Sequence, residues 1–203
     1  MNKLLVLASG SPRRSRILTE AGIDFEVVPP QVDEVGFPDE TPAVMAVRLA
    51  GEKAHEVAAR VGPDRWVLGV DTVVAIDDEI LGKPVDEAEA IRMLLQLSGR
   101  THCVYSGFAI VGFGREQTGV EETRVTMRSI APAEAAAYTA TGEPLDKAGA
   151  YAIQGAAICF ITSVDGSRRN VAGLPLETLL PLLADRGIDP QPAERGTPRP
   201  IDP

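Results

Sequence analysis

A chain of 203 residues, 44% hydrophobic and 24% charged, can bury a core without disulfide or metal staples and fits one domain, or two lobes around a cleft. Its formal net charge of −9 argues against wrapping a nucleic-acid backbone, which calls for a basic face. No stretch approaches the roughly 18 consecutive apolar residues of a membrane span, and Cys103 and Cys159 lack a CxxC spacing and read as small hydrophobes in a reducing cytoplasm.

The first apolar run, Leu4 to Ala8, is shorter than the h-region of a signal peptide, about 7–15 residues, and reads as a buried strand. Ser9-Gly10-Ser11-Pro12 forms a loop, after which Ile17, Leu18 and Ala21 supply a helical stripe ending at Gly22. Residues 42–61 carry Val44, Val47, Leu49, Ala50, Ala54, Val57 and Ala58 between charges, with Pro63 ending a long amphipathic helix. Trp66 to Ile76 is β-branched and almost wholly apolar, as expected of a central strand covered on both faces. Asp77-Asp78 reads as a turn, Asp86 to Leu97 as a helix with an acidic first turn, and Ser98-Gly99 as its stop.

Residues 102–113 and 119–128 read as two strands of a hairpin with a polar turn near Gly114 to Gln117. Ala133 to Thr141 is expected to be helix, Ala156 to Val164 strand and Leu176 to Asp185 the last helix. The alternation predicts an α/β fold with a twisted mixed β-sheet and flanking helices, in a single domain over residues 1–188. From Asp189 to Pro203 five of fifteen residues are Pro, with no apolar period, and this tail is expected to be disordered.

The chemistry concentrates in a few places. Ser11 is a good N-cap and Pro12 suits the first helical position. Yet Arg13, Arg14 and Arg16 crowd the positive end of the helix dipole, a conflict that a bound anion would resolve. Asp71, inside the most apolar strand, must be paired, hydrogen-bonded or bound to a metal. Asp33-Glu34 could bring a second carboxylate to the same site. Lys53 and Lys83, each taken alone, read as surface lysines. Together with a capped helix N-terminus and carboxylates able to hold Mg²⁺, they make what phosphoryl chemistry requires. Gln154, in the Gly-rich loop from Glu143 to Gly155, offers a donor and an acceptor for a base edge. His55 and His102 lack metal-ligand spacing and are assigned structural roles. Neither GxGxxG nor a Walker A sequence is present.

Taken together these segments resemble the Maf family of nucleotide pyrophosphatases. The matching stretches are Leu7 to Arg14, Val32-Asp33-Glu34, Glu52-Lys53-Ala54, Gly69 to Val74, Gly82-Lys83-Pro84, Leu97 to His102, Glu143 to Gly155 and Gly173-Leu174-Pro175. The resemblance implies a two-lobed fold around a central cleft, related to inosine triphosphate pyrophosphatases. It also implies a divalent cation, Mg or Mn, and hydrolysis of a nucleoside triphosphate between its α- and β-phosphates. By position Asp71 is the expected proton acceptor and Glu34 assists with metal or water, so both are the expected metal ligands. Ser9, Ser11, Arg13, Arg14, Lys53 and Lys83 are expected to hold phosphates. Arg13, Thr72 and Gln154 read like the branch of the family that favours dTTP and UTP. The other branch, favouring 7-methyl-GTP, shows a bulky aromatic, an amide and a Glu at those places. Ala172 departs from the more usual Val without reaching the expected chemistry. The family's link to septum formation leaves another class of function open, a nucleotide-responsive binding protein. A homodimer is also expected from the resemblance, with no nucleic-acid or membrane partner.

Overall fold

In the computed structural model, which describes residues 5–77 and 79–191, the chain opens with the expected strand and helix, β1 (Leu5–Ala8) and α1 (Pro12–Glu20). A short strand β2 (Phe25–Val27) follows, then the long helix α2 (Pro42–Val61) and the apolar strand β3 (Trp66–Ile76), which match their sequence patterns to the residue. Next come β4 (Glu79–Leu81) and α3 (Glu87–Leu97), the latter capped by Asp86, whose carboxylate accepts from the Glu89 N–H at 2.8 Å. The hairpin β5 (Thr101–Gly112) and β6 (Arg115–Met127) is longer than its pattern, because the turn takes only Phe113 and Gly114, with φ of 50° and 68°. Two positive φ values in a two-residue loop match the twist of the flanking strands, so Arg115 to Thr118 belong to β6 rather than to the turn.

Helix α4 (Pro132–Thr139) is followed by three 3-10 turns, Glu143–Asp146, Ala148–Ala150 and Ala156–Phe160. The last of these corrects the expected strand over 156–164, since pairing begins only at β7 (Ile161–Asp165). A short helix α5 (Arg168–Val171) and α6 (Leu176–Ala184) complete the chain. The strands β2 and β4 and the helix α5, three to four residues each, are too short to show a period. Asp77 turns with a φ of 50°, while Asp78 and most of the Pro-rich tail, 192–203, lie outside the described residues. No helix among the described residues is long and apolar enough to cross a membrane.

The seven strands form one mixed sheet in the order β2-β1-β3-β5-β6-β7, with β4 also on β3. β1 runs parallel to β3 through Ala8 opposite Gly69, and β4 pairs antiparallel with the same strand from Val74 opposite Leu81. Both lie along the edge of β3 opposite β5. Among the described residues, the stretch Val70 to Val73 has no strand partner on that edge, and Asp71 lies within it. The gap sits just beyond the C-terminal end of β1, where the chain leaves for α1, a place where open α/β sheets bind ligands.

Two apolar cores flank the gap. One packs α1 and α6 on β1, β3 and β5 through Leu7, Leu18, Leu68, Ile110 and Leu179. The other packs α3 and α4 around Val74, Leu81, Leu94, Met127 and Tyr151. On the remaining face α2 lies against β3 and β5 through Ala50, Ala54 and Val57. A Cβ on Gly69 would come within 2.1 Å of the Ala50 carbonyl oxygen, and one on Gly107, the cross-strand partner of Asp71, within 2.2 Å of the Ala46 carbonyl carbon. Only glycine permits that approach, and it brings α2 close enough for Lys53 to reach Asp71.

Candidate active site

The sheet gap opens into a cleft of about 390 Å³. Its lining includes every residue singled out for the site from the sequence: Ser9, Ser11, Arg13, Arg14, Glu34, Lys53, Asp71, Thr72, Lys83 and Gln154. They come from the β1–α1 loop, the segment before α2, α2 itself, β3, the segment after β4 and the Gly-rich loop. Alternation along β3 turns Asp71 toward α2 and Thr72 toward α1, and the gap lets both reach the same space.

On the α2 side Lys53 is buried, 4% exposed, which overturns its reading as a surface lysine. Its Nζ donates to Glu34 Oε1 and Asp71 Oδ1, both at 2.5 Å. Lys83, on the exposed rim, donates to the other Glu34 oxygen at 3.0 Å. The two carboxylates thus share one buried cation and do not face each other uncompensated. Partial burial by itself would raise the Glu34 carboxyl; hydrogen bonds and charge from Lys53, then Lys83, outweigh it and hold that pKa down to about 2.

On the α1 side Arg14 folds back across the strand ends. Its Nε donates to the Gly173 carbonyl at 2.8 Å, and its two terminal nitrogens donate to Ser9 Oγ at 3.0 Å and Thr72 Oγ1 at 3.2 Å. Burial works against the guanidinium charge and lowers its pKa, an effect that Asp71 and Glu34 oppose. Ser9 Oγ also accepts from the Ser11 N–H at 3.2 Å. Ser11 occupies the N-cap position, but its side chain makes no cap bond, so the expected serine cap is absent and this end of α1 faces the cleft without one.

The Arg conflict at that helix end is met in part inside the chain, not by an anion alone. Arg13 reaches Asp146 at 3.7 Å, Arg14 has the partners above, and Arg16 donates to Gln154 Oε1. Ala172 is buried and lines the cleft, where its methyl group adds no polar atom to the site. His102 is buried against Tyr151, and His55 pairs with Glu116 on the surface at 3.2 Å, in keeping with structural roles for both.

Three contributors were missed in the sequence. Lys147 lines the cleft inside the flagged Gly-rich loop, its Nζ held by the Glu143 carbonyl at 2.6 Å. Ser106 bonds Thr72 Oγ1 at 3.0 Å and donates to the Asn170 carbonyl at 3.1 Å, while the Asn170 amide nitrogen holds Val104 O, Glu121 O and Thr123 Oγ1. The signal for Ser106 was the one used for Asp71, a polar residue within an apolar strand. Asn170 gave none, because its partners are 47 to 66 residues away in sequence.

A dTTP/UTP pyrophosphatase of Myxococcus xanthus is 50% identical over 91% of this chain and 93% of its own. A dTTP/UTP pyrophosphatase of Geobacter metallireducens is 49% identical over 86% and 92% respectively. Among solved structures, a nucleoside-triphosphatase / dITP/XTP pyrophosphatase from Mycobacterium abscessus covers 90% of this chain and 97% of its own at 21% identity and a TM-score of 0.43, too distant to bear on the chemistry. The Maf-like protein family model matches residues 4–186, nearly the whole described chain, and the protein belongs to that family.

Proposed function

We propose that the chain is a nucleoside triphosphate pyrophosphatase that converts dTTP and UTP to the monophosphate and pyrophosphate. The observation that carries the reading is the meeting, in one cleft, of the carboxylates of Asp71 and Glu34 with the cationic groups of Arg13, Lys83 and the α1 N-terminus. Relatives at 49–50% identity that bear the dTTP/UTP pyrophosphatase name support the same reading.

The donor set was weighed against a divalent cation. Among the described residues there is no group of three or more His, Cys, Asp or Glu side chains able to hold a metal. Two carboxylates with the rest of the shell from substrate phosphate and water is, however, how Mg²⁺ is usually held. Asp71 and Glu34 fit that mode and not a protein-only cage. A cation held there with the substrate would neutralise phosphate charge and make water more acidic.

The chain's own groups then divide the work. Asp71 accepts the proton of a water that attacks the α-phosphorus in line, and the bond from that phosphorus to the α,β-bridging oxygen breaks, releasing pyrophosphate. Lys53 holds Asp71 and Glu34 in register. Arg13, Lys83 and the uncapped end of α1 stabilise charge on the leaving pyrophosphate, and Ser9 and Ser11 border the phosphates. Arg14 positions Ser9 and Thr72. Because Arg16 engages the Gln154 amide oxygen, the amide N–H₂ is the group offered to a base carbonyl, which suits uracil and thymine. Both cysteines are free thiols, as a reducing cytoplasm maintains them, and that is the compartment proposed.

The test is pyrophosphate release from dTTP, UTP and 7-methyl-GTP with Mg²⁺ or Mn²⁺, with Asp71→Asn alongside. Asparagine keeps the shape and can still accept from Lys53, so the fold should persist while turnover falls by about two orders of magnitude or more. A near wild-type rate in that variant removes Asp71 from its role. Tight nucleotide binding with no release across the panel points to a binding protein instead.

A further inference from the structure

The wall of the cleft that carries Gln154 has little regular structure to hold it. From Glu143 to Ala156 the chain makes short 3-10 turns and joins no strand, yet it contributes Asp146, Lys147, Tyr151, Ile153 and Gln154 to the lining. Ordering such a segment costs conformational entropy that helix or sheet bonds do not offset here. Burial of Ala150, Tyr151 and Ile153 and the Tyr151–His102 bond hold its middle, and its two ends need a tie of their own.

The closure is a carboxylate at the start of the segment that reaches its end. Glu143 Oε1 accepts from the Tyr138 hydroxyl at 2.8 Å, and Oε2 accepts from the Ala156 N–H at 3.2 Å. Tyr138 in turn accepts from the Ala152 N–H at 3.3 Å. It is anchored on α4, 5% exposed, with its ring edge-on to Phe160 at 5.6 Å. The carboxylate also lies against the backbone beside Gln154: a Cβ on Gly155 would fall 1.9 Å from Glu143 Oε1. One carboxylate and one hydroxyl therefore tie α4 to residues 152 and 156, on both sides of Gln154.

We propose that Glu143, with Tyr138, is a positioning clasp for the base-reading wall of the cleft and thereby sets nucleotide affinity and base discrimination. This rests on the reading of Gln154 as the residue that meets the base. A carboxylate is required because two donors, the Tyr138 O–H and the Ala156 N–H, converge on two acceptor oxygens. A glutamine offers one acceptor: its N–H₂ either faces the Ala156 N–H or makes the Tyr138 hydroxyl, which already accepts from Ala152, turn its proton elsewhere, and in both cases one of the two bonds to Glu143 is lost. The groups assigned to the chemistry sit elsewhere, Asp71 on β3, Lys53 on α2 and Glu34 ahead of α2, and none bonds to Glu143. Loss of the clasp acts on substrate binding ahead of the chemical step.

The experiment compares Glu143→Gln with the wild-type full chain in steady-state kinetics on dTTP and dCTP, and in amide hydrogen exchange without nucleotide. We expect KM for dTTP to rise about tenfold with kcat changed by no more than about threefold, and the dTTP to dCTP ratio of kcat/KM to shrink. Exchange at amides 152–156 should quicken about tenfold while amides of β3 stay protected. Tyr138→Phe removes the shared hydroxyl and should move every readout the same way; it carries the test alone should Glu143→Gln not fold. Unchanged KM and unchanged local exchange overturn the proposal. So does a fall in kcat at constant KM, or exchange that rises uniformly, which marks global destabilisation. If the wild-type protein hydrolyses no pyrimidine triphosphate, the functional reading fails, and the exchange data still decide whether the clasp exists.

Discussion

His102 is a residue whose local chemistry has a measurable consequence away from the cleft. It is 1% exposed, its Nε2 meets the Tyr151 hydroxyl at 2.8 Å, and its Nδ1 has no partner among the described residues. Burial pushes its pKa down to about 4, from 6.5. The unfolded chain therefore binds a proton between those values while the folded chain does not, so stability rises with pH across that window. Lowering the pH from 7 to below 4 should remove about 3 kcal/mol through this group. Urea unfolding at pH 7 and pH 4.5 should show most of that loss in the wild-type chain and a shallower one in His102→Gln. Equal pH dependence in the two would assign the loss to other groups. At this scale the sequence spoke clearly where a residue type contradicted its surroundings. Asp71 in an apolar strand and the Arg cluster at a helix start both lead into the cleft. Lys53 was not legible in that way: lysine in mid-helix among charges looks solvated until the face it occupies is known.

That face belongs to the element scale. Small residues along α2, Ala46, Ala50 and Ala54, and the glycines opposite them on β3 and β5 set how closely helix and sheet approach. Gly107→Ala would place a methyl 2.2 Å from the Ala46 backbone and 2.3 Å from its carbonyl oxygen, contacts that only a displacement of α2 relieves. The expected cost is about 1–3 kcal/mol of stability, as for overpacking elsewhere. Activity should fall further than stability does, because the shift separates Lys53 from Asp71. Thermal unfolding and turnover measured together check this; full activity at reduced Tm would show that the register of α2 is not critical. The long elements were legible because ten or more residues display a period. β2, β4 and α5 were not, and the 3-10 turn over Ala156–Phe160 was mistaken for strand because an apolar run of that length has no period of its own.

For the whole molecule, the proposed reading separates folding from cation binding. Asp71 and Glu34 are already compensated by Lys53 and Lys83, so the cores do not depend on a divalent ion. Treatment with a chelator should reduce pyrophosphate release by about a hundredfold or more, restored by Mg²⁺ or Mn²⁺, and leave Tm within about 2 °C. A large drop in Tm on chelation would mean that the ion is structural.

The sequence by itself determined the fold class, the long helices and strands, and which charged residues gather in the cleft, since these follow from local period, caps and charges out of place. Only the tertiary structure decided that β1 and β4 share one edge of β3 and leave Asp71 in the gap between them. It alone decided that Lys53 bridges two carboxylates, that Arg14 ties Ser9 to Thr72, and that Glu143 closes the loop bearing Gln154. Each of these joins separate elements or the two ends of a loop, and such contacts are set by register and packing distance, which no local pattern encodes.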